Sequence, residues 1–249
     1  MTALLLVDIG NTLIKSAWCV DGCLSGWPSL PTRGDAVFAG WPTAHLDAGP
    51  QRVLVSNVAG PAIAGQLAEF VHARWNIEAE FVRPVRERCG LRTRYREPAR
   101  LGVDRWLAAL AAWHERDGAV CVIDIGTALT ADIVTADGEH LGGLIAPGPE
   151  LMRTSLTQGT ADLECEAITA VPGFADNTTD AISLGCTLAV AGLLRQVRER
   201  LATQDGCADA AWYLTGGGAA PLLPLIDWPY AQVPDLVLRG LAVHAGDDT

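Results

Sequence analysis

The chain writes one β-hairpin pattern twice, and this repeat limits its fold more than any other feature. Shifted by 116 residues, "LLLVDIGNTLIKSAWCVDGCLSG" from Leu4 lies on "VCVIDIGTALTADIVTADGEHLG" from Val120. Asp8 meets Asp124, Gly10 meets Gly126, Leu13 meets Leu129, Asp21-Gly22 meets Asp137-Gly138, and Gly26 meets Gly142. Each copy runs buried strand, DIG turn, second strand, Asp-Gly turn, glycine. Two buried hairpins share aliphatic strands and Asp-Gly turns by chance, but not the whole order. We therefore expect two halves, 1–115 and 116–249, each opened by a hairpin, with a cleft between them.

The rest of the pattern mixes strands and helices in both halves, an α/β chain. Continuous apolar runs predict strands over Ala3–Ile9, 12–20, 52–58 and 119–125, with shorter strands at 78–82, 129–135, 140–146 and 211–214. Helical spacing predicts Pro61–Trp75, 103–115, Pro149–Thr157, 176–203 and 233–245. The arginine-rich segment 83–101 and the stretch 159–173 show no period and read as irregular.

Composition narrows the function. The 249 residues are 49% hydrophobic, enough for a large core, and the net charge is −11. Such a chain on average repels nucleic acid and anionic membranes. Yet eight of the seventeen arginines crowd into 83–105, a local positive field for small anions, with Tyr95 the only aromatic between Arg83 and Arg105. One aromatic is too few for a base-stacking platform. The seven cysteines include no CxxC pair and sit largely in apolar runs, so they read as reduced, buried thiols of a cytoplasmic protein. The opening apolar run is too short for a signal peptide, and the longest, 182–194, is short of the ~20 residues that span a bilayer. We expect no nucleic-acid partner and no membrane.

No GxxxxGK[ST], GxGxxG, HExxH or GxSxG occurs, which removes the common nucleotide, zinc-protease and serine-hydrolase signatures. What remains is two acidic hairpins and the glycine turn "LTGGG" at 214–218. Glycine lets backbone N–H groups approach phosphate closely. Asp8 repels phosphate directly, but can reach it through hydrated Mg²⁺. Asn11 and Thr12 add short donors. Lys15 is the only lysine in the chain. It reads either as a phosphate ligand or as a solvated strand lysine.

These motifs together resemble the acetate and sugar kinase, heat-shock chaperone and actin superfamily. Tyr95-Arg96-Glu97-Pro98 before "LGVDRW", "GGLIAPG" at 142–148 and "NTTDAISLG" at 177–185 resemble the type III pantothenate kinases within it, from end to end of the chain. The resemblance implies a duplicated actin-like (ribonuclease H-like) two-lobed fold with mixed sheets flanked by helices. It implies transfer of the γ-phosphoryl of ATP to pantothenate, the first step of coenzyme A synthesis, with Asp104 as general base. On the residues alone, Asp104 also reads as a first-turn carboxylate at a helix N-terminus. ATP contacts implied are Asp8, Ile9, Gly10, Asn11, Thr12, Leu13, Ile14, Lys15 and Thr127. Substrate contacts implied are Tyr95, Gly102, Val103, Asp104, Arg105 and Thr178, with Thr179 adjacent. Asp124 matches a site for a monovalent cation, K⁺ or NH₄⁺, and Asp8 serves Mg²⁺ through water. A homodimer with the substrate site at its interface is also implied. Asp132 reads as a solvated carboxylate near a turn. Two rival readings are a regulatory protein, like the Bvg accessory factor, and a kinase acting on another small hydroxyl compound.

Overall fold

The computed structural model describes residues 3–34, 37–38, 41, 49–158 and 173–246. Cys165 and nearly all of the expected irregular stretch 159–173 lie outside them. In chain order the strands and helices are β1 (Ala3–Ile9), β2 (Leu13–Val20), β3 (Cys23–Gly26), β4 (Leu30–Pro31), β5 (Arg52–Asn57), α1 (Pro61–Trp75), β6 (Ala79–Phe81), β7 (Glu87–Arg88), β8 (Leu91–Thr93), α2 (Val103–His114), β9 (Val120–Ile125), β10 (Ala128–Val134), β11 (Glu139–Pro147), α3 (Pro149–Thr157), α4 (Thr178–Thr203), β12 (Ala211–Thr215), β13 (Ala231–Gln232) and α5 (Leu236–Gly246). The chain divides into two compact units.

In the first unit the sheet order is β3-β2-β1-β5-β6, with β4 paired to β2. The hairpin pairs β1–β2 and β2–β3 are antiparallel; β1–β5 and β5–β6 are parallel. Alternation along β1 sends Leu5, Val7 and Ile9 to a core with Val53, Val55 and the α1 residues Ile63, Leu67 and Val71. Complete burial of each such side chain contributes roughly 1.5–3 kcal/mol. Pro61 opens α1 and left-handed Asn76 closes it, its N–H donating to the His72 carbonyl. The same core takes an aromatic cluster in which Trp41 Nε1 donates to Ser16 Oγ at 3.1 Å. α5 packs on β1, β2, β5 and α2.

In the second unit the strands run β13-β12-β9-β10-β11, with β9–β10–β11 antiparallel and β9–β12–β13 parallel. That is the pairing pattern of the first sheet again, so the duplication seen in the sequence is a duplication of topology. α4 lays Val190, Leu194, Val197 and Leu201 against Cys121, Ile123, Ile125 and Leu129. Its N-cap is Asn177, whose Oδ1 accepts from Asp180 N at 2.9 Å while Nδ2 donates to Asp180 Oδ2 at 2.7 Å. By length and composition α4 is the one helix among the described residues long and apolar enough to cross a membrane. Its buried stripe packs on the sheet instead, as a core helix does.

Four expectations change. First, α5 belongs with the first unit, whereas residues 116–249 were expected to form the second. A Cβ on Gly240 would lie 2.1 Å from the Leu107 carbonyl oxygen, so a bare backbone there lets α5 approach α2 closely. Second, the final helix starts later than 233, because Val233 N donates to Leu214 O at 2.8 Å as part of the strand end. Third, segment 83–101 is not wholly irregular. It holds the β7–β8 hairpin, turned by Cys89 (φ 52°) and Gly90 (φ 78°), and a 3₁₀ turn at Pro98–Arg100.

The fourth change is one of register. The shift of 116 sets Leu13 on Leu129, but Ile9 pairs with Ile14 in one hairpin and Ile125 with Leu129 in the other. The second tip is one residue shorter: Gly10 N bonds to Leu13 O, Gly126 N to Ala128 O. Burial decides the equivalence, since Ile14 and Leu129 are 1% and 0% exposed while Leu13 is 45% exposed. A register shift between Ile133 and Val134 accompanies the return to the original spacing at the Asp-Gly turn.

Candidate active site

Asp8 ends the buried run of β1. Lys15 stands directly opposite it on β2, and Ser56 opposite it on β5. Cross-strand partners of this kind place their side chains on one face about 5 Å apart. Lys15 therefore shares the face of Asp8, at the phosphate-type turn. The tip itself is pinned from behind. Thr32 Oγ1 donates to Gly10 O at 2.7 Å, and Thr32 N donates to Thr12 O at 3.0 Å. Asn11, Thr12 and Leu13 face solvent, while Ile9 and Ile14 are buried in the core. Of the expected ATP contacts, those two can offer only backbone atoms.

Asp104 sits in the first turn of α2, and Gly102 is its N-cap. Asp104 Oδ1 accepts from Arg105 N at 2.8 Å. A Cβ on Gly102 would lie 2.6 Å from Asp104 Oδ1, and Gly102 has φ −57°, so it is glycine for space rather than for backbone freedom. Arg105 is buried, donates Nη1 to the Tyr95 hydroxyl at 2.9 Å and holds its guanidinium carbon 5.8 Å from the centre of that ring. The structure thus joins Tyr95, Gly102, Asp104 and Arg105 in one cluster within the first unit. Val103 is buried beneath it.

In the second unit the glycines close on the repeated hairpin. Gly216 has φ 90°, and a Cβ on it would lie 2.4 Å from both Asp124 Oδ1 and Ile125 O. Gly218 N donates to Ile125 O at 2.8 Å, and Gly148 N donates to Thr127 O at 2.9 Å. A Cβ on Gly148 would lie 2.1 Å from Gly126 O. "LTGGG", "GGLIAPG" and "DIGT" therefore meet around Asp124 and Thr127, a convergence that sequence reasoning did not reach. Thr178 is exposed as the first residue of α4, and Thr179 behind it is half-buried.

Asp132 is not a solvated carboxylate. It is 1% exposed and Oδ1 lies 2.9 Å from Nε2 of fully buried His140. This pair fastens β10 to β11 inside the unit.

Among the described residues no three His, Cys, Asp or Glu side chains cluster as a metal cage. Asp8 as a lone carboxylate suits a hydrated Mg²⁺ that takes its other ligands from phosphate and water.

A sequence model of the type III pantothenate kinases matches residues 4–200. The chain belongs to that family. Among similar proteins, the type III pantothenate kinase of Nitrosococcus oceani is 38% identical, with 98% of this chain and 94% of that one covered. That of Chromobacterium violaceum is 39% identical, with 95% and 97% covered. Among solved structures, a Campylobacter jejuni protein assigned to the Baf family of transcriptional activators superposes with a TM-score of 0.60 at 22% identity, covering 98% of both chains. An inorganic polyphosphate/ATP-glucomannokinase from Arthrobacter superposes at 0.51 and 15% identity over the whole of both chains. At such identities the likeness shows the fold alone. It is the actin-like α/β fold of sugar kinases, and the chain is a phosphotransferase of the type III pantothenate kinase family.

Proposed function

We propose that this kinase transfers the γ-phosphoryl group of ATP to the primary hydroxyl of pantothenate, giving 4'-phosphopantothenate for coenzyme A synthesis. Family membership is the observation that carries the reading. The Asp104 cluster supports it residue by residue. Asp104 takes the proton of the attacking hydroxyl as the new O–P bond forms and the bond to the departing ADP breaks. The bond from Arg105 N fixes the orientation of the carboxylate. Arg105, seated on the Tyr95 hydroxyl, pairs with the pantothenate carboxylate, for which a guanidinium fork is suited. Gly102 and Val103 shape the same turn, and Thr178 adds a hydroxyl contact to the substrate.

The first hairpin, Asp8 to Lys15, cradles the ATP phosphates with the Asn11 and Thr12 backbone and the Lys15 ammonium, while Gly10, its N–H bonded to Leu13 O, closes the tip so that the backbone can lie close to them. When bound, Mg²⁺ offsets phosphate charge, and Asp8 reaches it through water. Asp124 holds K⁺ or NH₄⁺, and Thr127 contacts ATP. Exposed Ile145, Leu151, Leu156, Phe174 and Leu188 on the second unit support a homodimer that completes the pantothenate site. The setting is the cytoplasm. Incubation with ATP, Mg²⁺, K⁺ and pantothenate tests the reading by mass spectrometry: phosphopantothenate is expected, and its absence with folded protein contradicts the proposal.

A further inference from the structure

We infer that Arg86 is a positioning residue for pantothenate, acting through Tyr95; this rests on the function proposed above. Arg86 lies just before β7, outside every motif used so far. Its backbone carbonyl accepts from Thr93 N at 3.0 Å, extending the β7–β8 ladder by one rung. Its side chain then folds over the exit of that hairpin. Nη1 donates to Thr93 O and to Tyr95 O, each at 2.7 Å, and Nη2 donates to Arg96 O at 3.1 Å. The Tyr95 amide is held from the other side, donating to the Thr93 hydroxyl at 3.1 Å. Thr93 itself is 2% exposed, so this second anchor is rigid.

The result is one continuous series of contacts within the first unit. Arg86 and Thr93 grip the backbone of Tyr95. The Tyr95 hydroxyl accepts from Arg105 Nη1, and the Arg105 amide donates to Asp104 Oδ1. A tyrosine ring anchored at its own backbone holds the guanidinium at a fixed place; a ring on a loose loop does not. Three carbonyls on one short loop also explain the choice of residue. Guanidinium carries five N–H donors in a planar fork and no acceptor, whereas ammonium is a compact point charge that cannot span all three. Of the eight arginines in this segment, Arg86 is therefore one whose value lies in geometry. Arg92, an exposed arginine on β8, serves as the comparison for charge alone.

The test is steady-state kinetics of wild type, Arg86→Lys, Arg86→Gln and Arg92→Gln, varying pantothenate and ATP separately, with melting temperatures. Both Arg86 variants are expected to raise the pantothenate KM about tenfold and to leave the ATP KM within about twofold. Arg92→Gln is expected to change neither. Arg86→Lys keeps the charge, so its impairment separates the fork from the field. A pantothenate KM within about twofold of wild type in both Arg86 variants overturns the inference while leaving the proposed function standing. So does a parallel rise of both KM values with a lowered melting temperature, or failure of both variants to fold, since either outcome marks a merely structural residue. Absence of wild-type turnover overturns the proposed function, and this inference with it.

Discussion

Lys15 stands directly across the β1–β2 ladder from Asp8, at the second rung from the hairpin tip. In a chain with seventeen arginines, the single lysine faces the carboxylate proposed to reach Mg²⁺ through water. A compact ammonium on a flexible stem can meet phosphate oxygens and still balance Asp8. Lys15→Met keeps the stem and removes the charge. The expected result is a rise in ATP KM of roughly tenfold, the scale of one charge-assisted hydrogen bond, with the pantothenate KM unchanged. An unaltered ATP KM would reduce Lys15 to a partner for Asp8.

Gly102 offers a test that separates activity from stability. Its φ of −57° is open to any residue, so alanine brings no backbone strain. The added methyl would lie 2.6 Å from Asp104 Oδ1, and a carboxylate can swing away at little cost. Gly102→Ala is expected to lower kcat by about tenfold or more while the melting temperature stays within a few degrees. Equal loss of both would show that the glycine serves packing rather than the placement of Asp104.

The buried thiol of Cys121 gives stability a pH dependence of known sign. Burial, then the nearby Asp132 and Cys207, push its pKa above the ordinary thiol value of 9.0. The folded protein keeps this proton where the unfolded chain releases it. The contribution is therefore complete below pH 9.0 and is lost as pH rises toward the folded-state value. Urea denaturation between about pH 8 and pH 10 should show stability falling in wild type, with a slope shallower by up to about 1.4 kcal/mol per pH unit in Cys121→Ala. Identical slopes would remove this assignment.

Much of the framework was legible because its signals are local. The bounds of α1 and α3 follow from Pro61 and Pro149 at their starts and from apolar spacing within. The two DIG hairpins announce themselves by turn chemistry. What escaped depended on neighbours distant in sequence. The β7–β8 hairpin is turned by Cys89-Gly90 rather than by Asn-Gly or Asp-Gly, and its arginines mask strand alternation. The shortened second tip was hidden because the leucines at 13 and 129 match by letter and not by register. Asp132 looked solvated because His140, its partner, lies on the next strand. At the site, "GVDR" pointed to Asp104, but the need for glycine at 102 is a matter of space, and at 216 of space and of a positive φ together, visible only once Asp104 and Asp124 are placed beside them.

Asp104 is proposed to accept the proton of the pantothenate hydroxyl. The most direct test of this role is single-turnover phosphoryl transfer from ATP to pantothenate by wild type and Asp104→Asn, at saturating concentrations of both substrates, Mg²⁺ and K⁺. Asparagine keeps the size and the contact with Arg105 N but cannot take a proton. The expected rate is lower by roughly 10²-fold or more, with ATP binding retained. A variant that transfers the phosphoryl group at the wild-type rate would contradict this role.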